Sequence, residues 1–223
     1  MDINYFASAY LAHATLKAWT TPAPKDASAK AIDTSVPRHF LITSSVVAFC
    51  GVAGYGAYAP AKSAIRSLVD TLRSELNLYN GARQHGRGAA AAYPEIKIHC
   101  VLPGSVLSPG FAHEQTLKHP VTAVLEEGDP AQTPDVAAEV ALRRLEKGGY
   151  IVTTQALGDL MRLGALGGSP RNGLLGIRDT IGSWIVSTAW LFISPDMENK
   201  VFKWGKKNGV QADAKVRSDA AGH

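Results

Sequence analysis

The sequence predicts an α/β fold in which a parallel sheet is flanked by helices. Short apolar runs of strand length recur along the first part of the chain, and helical patterns separate them. Strands that alternate with helices are typical of a parallel sheet. After about residue 155 the pattern changes to glycine and apolar residues without clear alternation. We therefore expect a partial α/β domain over residues 1–155, followed by an apolar helical segment with a basic tail over 156–223.

The first part of the predicted domain contains one strand between two helices. Residues 1–19 have apolar side chains at helical spacing, and the Pro-, Ala- and Ser-rich residues 20–37 predict a surface loop. His39–Thr43 predicts a short buried strand. Tyr58–Tyr79 predicts a strongly amphipathic helix. Its apolar stripe consists of Ile65, Leu68, Leu72 and Leu76.

The second part of the predicted domain supplies two more strands. Residues 80–94 are of low complexity and predict a loop that joins the amphipathic helix to the strand Ile96–Leu102. Thr133, directly before a proline, is a candidate N-cap of a further helix, and Gly148-Gly149 would end that helix. Tyr150–Thr154 predicts the third strand, so the pattern again alternates.

The C-terminal segment has two open interpretations. Residues 180–195 carry no charge over 16 positions, whereas a membrane-spanning helix needs roughly 20 apolar residues. Extension to 174–195 adds two charged residues, and a basic, aromatic run follows at 202–207. One interpretation is a helix packed on the domain or on a second subunit. The other is a membrane-embedded or interfacial hairpin, with tryptophans at headgroup level and lysines facing anionic lipid.

Composition excludes several classes of protein. The net charge of +4 is too small to indicate nucleic-acid binding, and the N-terminus does not read as a signal peptide. Cys50 and Cys100 lie in apolar runs without CxxC spacing, which predicts buried, reduced thiols. The seven histidines lack the spacing of metal ligands, so we predict no metal site.

Candidate catalytic residues follow the first predicted strand. Ser44 and Ser45 come directly after it, Tyr58 lies thirteen residues beyond Ser45, and Lys62 lies four residues after Tyr58. The last spacing puts the phenol and the ammonium on one helix face, which provides an acid/base group. A hydroxyl at the strand end can hold a carbonyl oxygen opposite the phenol. Tyr55 is also near, but it has no lysine four residues later.

This arrangement of serine, tyrosine and lysine resembles the catalytic core of the short-chain dehydrogenase/reductase family. The resemblance implies a partial Rossmann-like fold and hydride transfer to a ketone. It further implies that Tyr58 is the general acid, that Ser45 (with Ser44 as the competing candidate) binds the carbonyl oxygen, and that Lys62 lowers the tyrosine pKa. Asp2-Ile3-Asn4-Tyr5 resembles the segment with the family's catalytic asparagine, so Asn4 would hold a water in a proton relay; helix capping is the alternative role.

The segment Pro103 to Gly110, PGSVLSPG, resembles the family's PGxVxTP segment. The resemblance implies that its backbone and hydroxyl contact the nicotinamide end of the cofactor. The cofactor-binding residues are then Pro103, Gly104, Val106 and Ser108, together with Tyr58 and Lys62. Ser108 replaces the family's threonine and keeps the hydroxyl.

Three longer runs narrow the resemblance. INYFASAYLA, YGAYAPAKSAIRSLVDTLRSEL and LPGSVLSPGFAHEQ are similar to 3-ketodihydrosphingosine reductases. That subfamily implies NADPH as cofactor, a long-chain keto-sphingoid substrate, and a place on the cytosolic face of the endoplasmic reticulum membrane. The wider family also implies a homo-oligomer through the helix Tyr58–Tyr79. Reduction of another lipid or steroid ketone is the alternative within the family.

One departure from the family is large. Its first strand, its TGxxxGxG phosphate loop and its NAG segment all lie ahead of the point where this sequence starts. Gly51, Gly54 and Gly56 form GxxGxG, but they stand between Ser45 and Tyr58, in the wrong context for a phosphate loop. We therefore expect this chain alone to bind cofactor poorly or not at all, to be inactive as a reductase, and to expose a sheet edge. A non-catalytic dimerisation or membrane remnant is the alternative from another class.

Overall fold

Three parallel strands form one sheet. The computed structural model describes residues 1–21 and 33–210. β1 (Arg38–Thr43), β2 (Ile96–Leu102) and β3 (Ile151–Thr153) pair in the order β1-β2-β3. The helices that flank this sheet confirm the predicted α/β class, and the arrangement is consistent with a partial Rossmann-like fold. The strands lie within a residue or so of their predicted bounds.

The long helix α2 (Tyr58–Gln84) provides the main contact with the sheet. Ile65 and Val69 are fully buried and Leu76 nearly so, and they pack in one cluster with Ile96 and other side chains of β2. Burial of such side chains contributes roughly 1.5–3 kcal/mol each. The chain before β1 adds a π-helical turn (Asp2–Phe6) and α1 (Ala7–Thr20) to the same layer. The buried stripe uses Val69 where the sequence suggested Leu68.

The remaining helices are shorter, with one exception. They are α3 (Pro109–Leu117), α4 (Pro120–Leu125), α5 (Pro134–Glu146), α6 (Ala156–Gly164) and the long α7 (Ile177–Asn208). The predicted cap of α5 is confirmed, because Thr133 Oγ1 accepts a hydrogen bond from Val136 N at 3.4 Å. α5 and α6 pack on β3, and α7 packs on α4 and α6. This order places α6 and α7 beside the carboxyl ends of the strands.

Two local predictions are corrected. Residues 80–94 are not all loop, since α2 continues to Gln84 and a 3₁₀ turn covers Gly88–Ala92. The strand β1 is not buried on both faces: Ile42 is buried, but Leu41 is 44% exposed. This alternation is what an edge strand with one covered face shows. Most of the predicted loop 20–37, and the end of the basic tail from residue 211, lie outside the described residues.

The apolar stretch 180–195 lies inside one continuous helix, so it does not fold back on itself as a hairpin. α7 runs without a turn from Ile177 to Asn208 and includes Pro195. A proline removes one N–H from the helical ladder, and here the helix continues through it. Within the described ranges, no helix combines the length and the apolar character needed to cross a membrane.

A buried ion pair fixes the start of α7 to α6. Arg162 donates two hydrogen bonds to the Asp179 carboxylate, at 2.6 and 2.7 Å, and both side chains are about nine-tenths buried. Asn172 N donates a third bond to Asp179 at 2.8 Å. Burial alone would raise the pKa of Asp179, but these hydrogen bonds outweigh it, and the net pKa is lowered. A short distance along, a Cβ at Gly164 would lie 3.2 Å from Val186, so glycine permits the close approach of the two helices.

Candidate active site

The end of β1 separates the two candidate serines. The Ser44 hydroxyl donates to the backbone oxygen of Lys62 at 2.9 Å, so it ties the strand end to α2. Ser45 caps the short 3₁₀ turn Val46–Ala48 and interacts with the phenol of Tyr58. Both serines are buried. The geometry therefore favours Ser45 as the hydroxyl that faces the tyrosine.

Tyr58 and Lys62 lie on the first turns of α2, as the spacing predicts. The Lys62 ammonium is 5.4 Å from the centroid of the Tyr58 ring. Within the described part of the chain, Lys62 makes no ion pair. Because both side chains are half-buried, the phenol and the cation share a partly desolvated environment.

The pKa of Tyr58 is raised here, not lowered. Burial is the largest cause; the interaction with Ser45 acts in the opposite direction, and the negative charge of Glu114 raises the pKa further. Burial also lowers the pKa of Lys62, and the nearby Cys100 thiol, whose own pKa is raised to about 12 by burial, stays neutral at neutral pH. A phenol with a raised pKa holds its proton at neutral pH, which suits an acid that donates a proton to an alkoxide.

The predicted cofactor segment follows β2 and bends toward Ser45. The backbone oxygen of Pro103 accepts a hydrogen bond from Val46 N at 3.0 Å. Gly104 packs so closely that a Cβ would lie 2.1 Å from Gln155 Nε2. Val106 pairs with Gln132 in an isolated parallel bridge. Ser108 caps α3 through a 3.1 Å bond from Phe111 N, so its hydroxyl lies at a helix N-terminus.

Most of the predicted site residues line one cavity of about 220 Å³. Its walls include Ser45, Tyr58, Pro103, Gly104, Val106 and Ser108. Lys62 contacts the Tyr58 ring but does not line this cavity. Asn4 lies half-buried in the π-helical turn that packs against α2, and its side chain makes no hydrogen bond within the described residues. The structure thus joins all but these two residues around one space.

The sequence patterns did not predict a polar network that lies beside Tyr58. The Tyr55 hydroxyl lies 2.5 Å from Glu114 Oε1 and 2.6 Å from Glu126 Oε1. Lys118, whose side chain is 3% exposed, contacts both carboxylates, at 3.2 Å and 2.5 Å. Burial and the two carboxylates raise the pKa of Tyr55 strongly. The i,i+4 spacing of Glu114 and Lys118 could have predicted their ion pair, whereas no sequence pattern pointed to Glu126 as a partner.

The cavity that holds Tyr58 is acidic. Glu114, Glu126 and Asp129 line it, and among the described residues no cationic side chain does. Asp129 is held in place by the backbone N–H and the hydroxyl of Ser105, at 3.1 and 2.9 Å, and by Gln155. Lys118 balances one of the three carboxylates from outside the wall. An excess of negative charge in a cavity favours a ligand with a positive group.

The glycine-rich loop before α2 positions Tyr55 instead of cradling phosphate. Gly54 has φ +96°, and a Cβ there would lie 2.0 Å from Thr122 Oγ1. Thr122 in turn donates to Ala53 O at 2.7 Å, which pins the loop to α4. A Cβ at Gly51 or at Gly56 would meet no atom of the described residues within 4 Å. Only Gly54 is required by its backbone conformation and by its packing.

Sequence comparison identifies relatives along most of the chain. It is 46% identical to 3-ketodihydrosphingosine reductase ksrA of Aspergillus fumigatus over 213 residues, which is 94% of this chain and 56% of that protein. It is 36% identical to 3-ketodihydrosphingosine reductase gsl-3 of Neurospora crassa over 94% of this chain and 52% of the relative. The Saccharomyces cerevisiae 3-ketodihydrosphingosine reductase TSC10 is 32% identical over 71% of this chain and 40% of its own length.

The chain belongs to the 3-ketodihydrosphingosine reductase family. It spans about half the length of the curated relatives that it matches. No protein-family model matches the sequence, and no solved structure matches it. The resemblance drawn from INYFASAYLA, YGAYAPAK and LPGSVLSPGF is confirmed by the names of these relatives.

The reacting end of a nicotinamide cofactor fits the residues of this site. Ser45 and Tyr58 both line the cavity with hydroxyl-bearing side chains, whereas Lys62, unpaired within residues 1–21 and 33–210, lies outside its lining with its ammonium 5.4 Å from the Tyr58 ring. The phosphate end finds no such cradle among the described residues, because the Gly54 loop packs on α4. The residues of this cavity therefore suit the nicotinamide end of the cofactor and not its phosphate end.

Proposed function

We propose that this chain carries the catalytic machinery of an NADPH-dependent reductase that converts 3-ketodihydrosphingosine to dihydrosphingosine in sphingolipid biosynthesis. The observation that carries the proposal is the cavity in which Ser45 faces Tyr58, found in a chain whose relatives bear the name of that reaction. Residues 1–155 would hold the acid/base groups. Residues 156–223 would contribute to substrate and membrane contacts.

The side chains have distinct roles in this proposal. Ser45 donates a hydrogen bond to the ketone oxygen, and Tyr58 gives its phenolic proton to that oxygen as the carbon is reduced. Lys62 stabilises the phenolate that remains. Asn4, by its family resemblance, would hold a water that returns a proton toward Lys62. When bound, the dihydronicotinamide supplies the hydride to the ketone carbon.

The cofactor would lie along the end of β2. Pro103, Gly104, Val106 and Ser108 would contact the nicotinamide end, while Tyr58 and Lys62 would bind the ribose. Their common cavity supports this assignment for all except Lys62, whose ammonium lies 5.4 Å from the centroid of the Tyr58 ring and outside the cavity lining. The choice of NADPH instead of NADH as the cofactor follows from the family resemblance.

We also propose that α7 lies on the cytosolic surface of the endoplasmic reticulum membrane. Its outward side exposes large apolar groups, with Trp184 and Leu191 each 70% exposed and Phe192 76% exposed. Lys206 and Lys207 in its last turn provide positive charge for anionic lipid. Co-sedimentation with vesicles that contain phosphatidylserine tests this: Leu191→Glu/Phe192→Glu should lower the bound fraction, and unchanged binding would contradict the proposal.

Association of two copies through α2 is a further proposal from the family. Its outward positions include Ser67, Thr71 and Glu75, which are exposed, polar and free to face a second copy. Sedimentation velocity should show a dimer that Thr71→Arg/Glu75→Arg weakens. A monomer at micromolar concentration would contradict the proposal.

The reductase assignment is tested with a chimera. This chain replaces the matching 213-residue segment of the Aspergillus fumigatus relative, and NADPH oxidation is measured with 3-ketodihydrosphingosine and with a panel of steroid and other lipid ketones. We expect turnover of the keto-sphingoid base above all others. Preference for a steroid ketone would favour the alternative substrate class, and absence of turnover with every ketone would favour a non-catalytic protein.

A further inference from the structure

A second cavity, of about 250 Å³, lies between α6 and α7. Its lining is mostly apolar: α6 contributes Leu157, Leu160 and Met161, and α7 contributes Val186, Trp190 and Ile193. The three α7 residues are spaced three and four positions apart, which places them on one face of the helix. The two helices touch at Gly164, where a Cβ would lie 3.2 Å from Val186 and 3.9 Å from Trp190, and the cavity occupies the space beyond that contact.

The apolar cavity adjoins the cavity that contains Tyr58. Val46, Val47, Glu126 and Asp129 line both. Val46 and Val47 follow Ser45 directly in the sequence, so the wall of the apolar space begins one residue from the proposed ketone-binding hydroxyl. An elongated ligand with its polar end at Tyr58 therefore has an apolar space next to it.

The chemistry of the two cavities is complementary to an amphiphile. The cavity that contains Tyr58 is lined by Glu114, Glu126 and Asp129, whose negative charges favour a cationic head group. The second cavity exposes apolar side chains, with Leu160 51% and Ile193 39% exposed, although both line a concave surface. Contact of such side chains with water is unfavourable, and an alkyl chain would cover them.

We propose that the cavity between α6 and α7 holds the alkyl chain of a long-chain amino ketone whose amino and keto groups lie in the acidic cavity at Tyr58. This inference rests on the proposed function, because dihydrosphingosine is a 2-amino-1,3-diol with a long saturated chain. Ala189 lies on the lining face of α7, and Ser187, two positions earlier, does not line the cavity.

Equilibrium dialysis tests the inference. The purified 223-residue chain is dialysed against shorter dihydrosphingosine homologues with 8, 10 and 12 carbons. Full burial of the four added methylenes would strengthen binding on the order of 200-fold, at about 0.8 kcal/mol each. Since the cavity is partly open, we expect at least about tenfold between the shortest and the longest homologue. Ala189→Trp, which fills the cavity, should flatten this dependence. Ser187→Trp is the matched control and should preserve it.

Leu160→Gln provides a second variant if Ala189→Trp does not fold, which circular dichroism will show. Because Leu160 is half-exposed, this change is tolerated by the fold and should weaken binding of the 12-carbon homologue selectively. Chain-length dependence that is absent in the wild type, or equal in Ala189→Trp and Ser187→Trp, would overturn the inference. Intact dependence in a chain whose chimera reduces no ketone would contradict only the proposed function.

Discussion

Removal of Arg162 should destabilise the fold far more than removal of a surface arginine. In Arg162→Met, the Asp179 carboxylate loses two hydrogen bonds of 2.6 and 2.7 Å and remains buried with one bond from Asn172 N. Loss of one partner of a buried ion pair costs about 3–5 kcal/mol. With a urea dependence of about 2 kcal/mol/M, the unfolding midpoint should fall by about 2 M.

The matched control is Arg143→Met. Arg143 pairs with Glu139 at 2.7 Å on the surface of α5, and the two side chains are 57% and 71% exposed. Such pairs contribute less than about 1 kcal/mol, so the midpoint should move by less than about 0.5 M. Urea unfolding followed by circular dichroism at 222 nm measures both variants. Equal losses would refute the argument from burial.

A double variant separates the charge from the packing. Arg162→Met/Asp179→Leu removes both buried charges, so much of the lost stability should return. If its loss equals the sum of the two single losses, the ion pair is not the cause, and the argument fails.

Three further predictions concern the loop, the catalytic pKa and acid stability. Gly54→Ala should destabilise the chain by more than about 1 kcal/mol, through its positive φ and the clash with Thr122, whereas Gly51→Ala should change stability little; similar melting temperatures would contradict this. Glu114→Gln removes a charge that raises the pKa of Tyr58, so in the chimera the alkaline limb of kcat should move to lower pH; an unmoved limb would contradict it. Because the pKa of Asp179 is lowered from 3.8, the ionised carboxylate stabilises the fold above about pH 5, and this stabilisation is lost as pH falls through the folded-state pKa. In urea unfolding, the difference in free energy of unfolding between the wild type and Asp179→Asn should therefore shrink as pH falls. A difference that stays constant with pH would contradict this prediction.

The sequence was sufficient for the strands, the long helix and the core of the site because local patterns encode them. Tyr58 and Lys62 are one helical turn apart, and the apolar runs before Ser45 and before Pro103 are the two strands β1 and β2. Parallel neighbouring strands end at the same edge of a sheet, so the residues that follow them meet. This is why the cavity contains most of the predicted residues.

The polar network and the shape of the C-terminal segment depend on tertiary contacts that no local pattern records. Glu126 follows α4 and reaches Tyr55 only because the Gly54 loop packs on that helix. The raised pKa of Tyr58 depends on its burial and on Glu114. Hydropathy left both a packed helix and a membrane hairpin open for residues 174–195, whereas in the structure α7 is continuous through Pro195 and packs on α4 and α6.

The most direct test of the account is the turnover of 3-ketodihydrosphingosine by the chimera with Tyr58→Phe, compared with Tyr55→Phe. Tyr58 faces Ser45, while Tyr55 is engaged by Glu114 and Glu126. We expect kcat to fall by about 10²- to 10⁴-fold in Tyr58→Phe, as for loss of a general acid, and by less than about tenfold in Tyr55→Phe. Near wild-type turnover in Tyr58→Phe, or the larger loss in Tyr55→Phe, would contradict the assignment of Tyr58 as the proton donor.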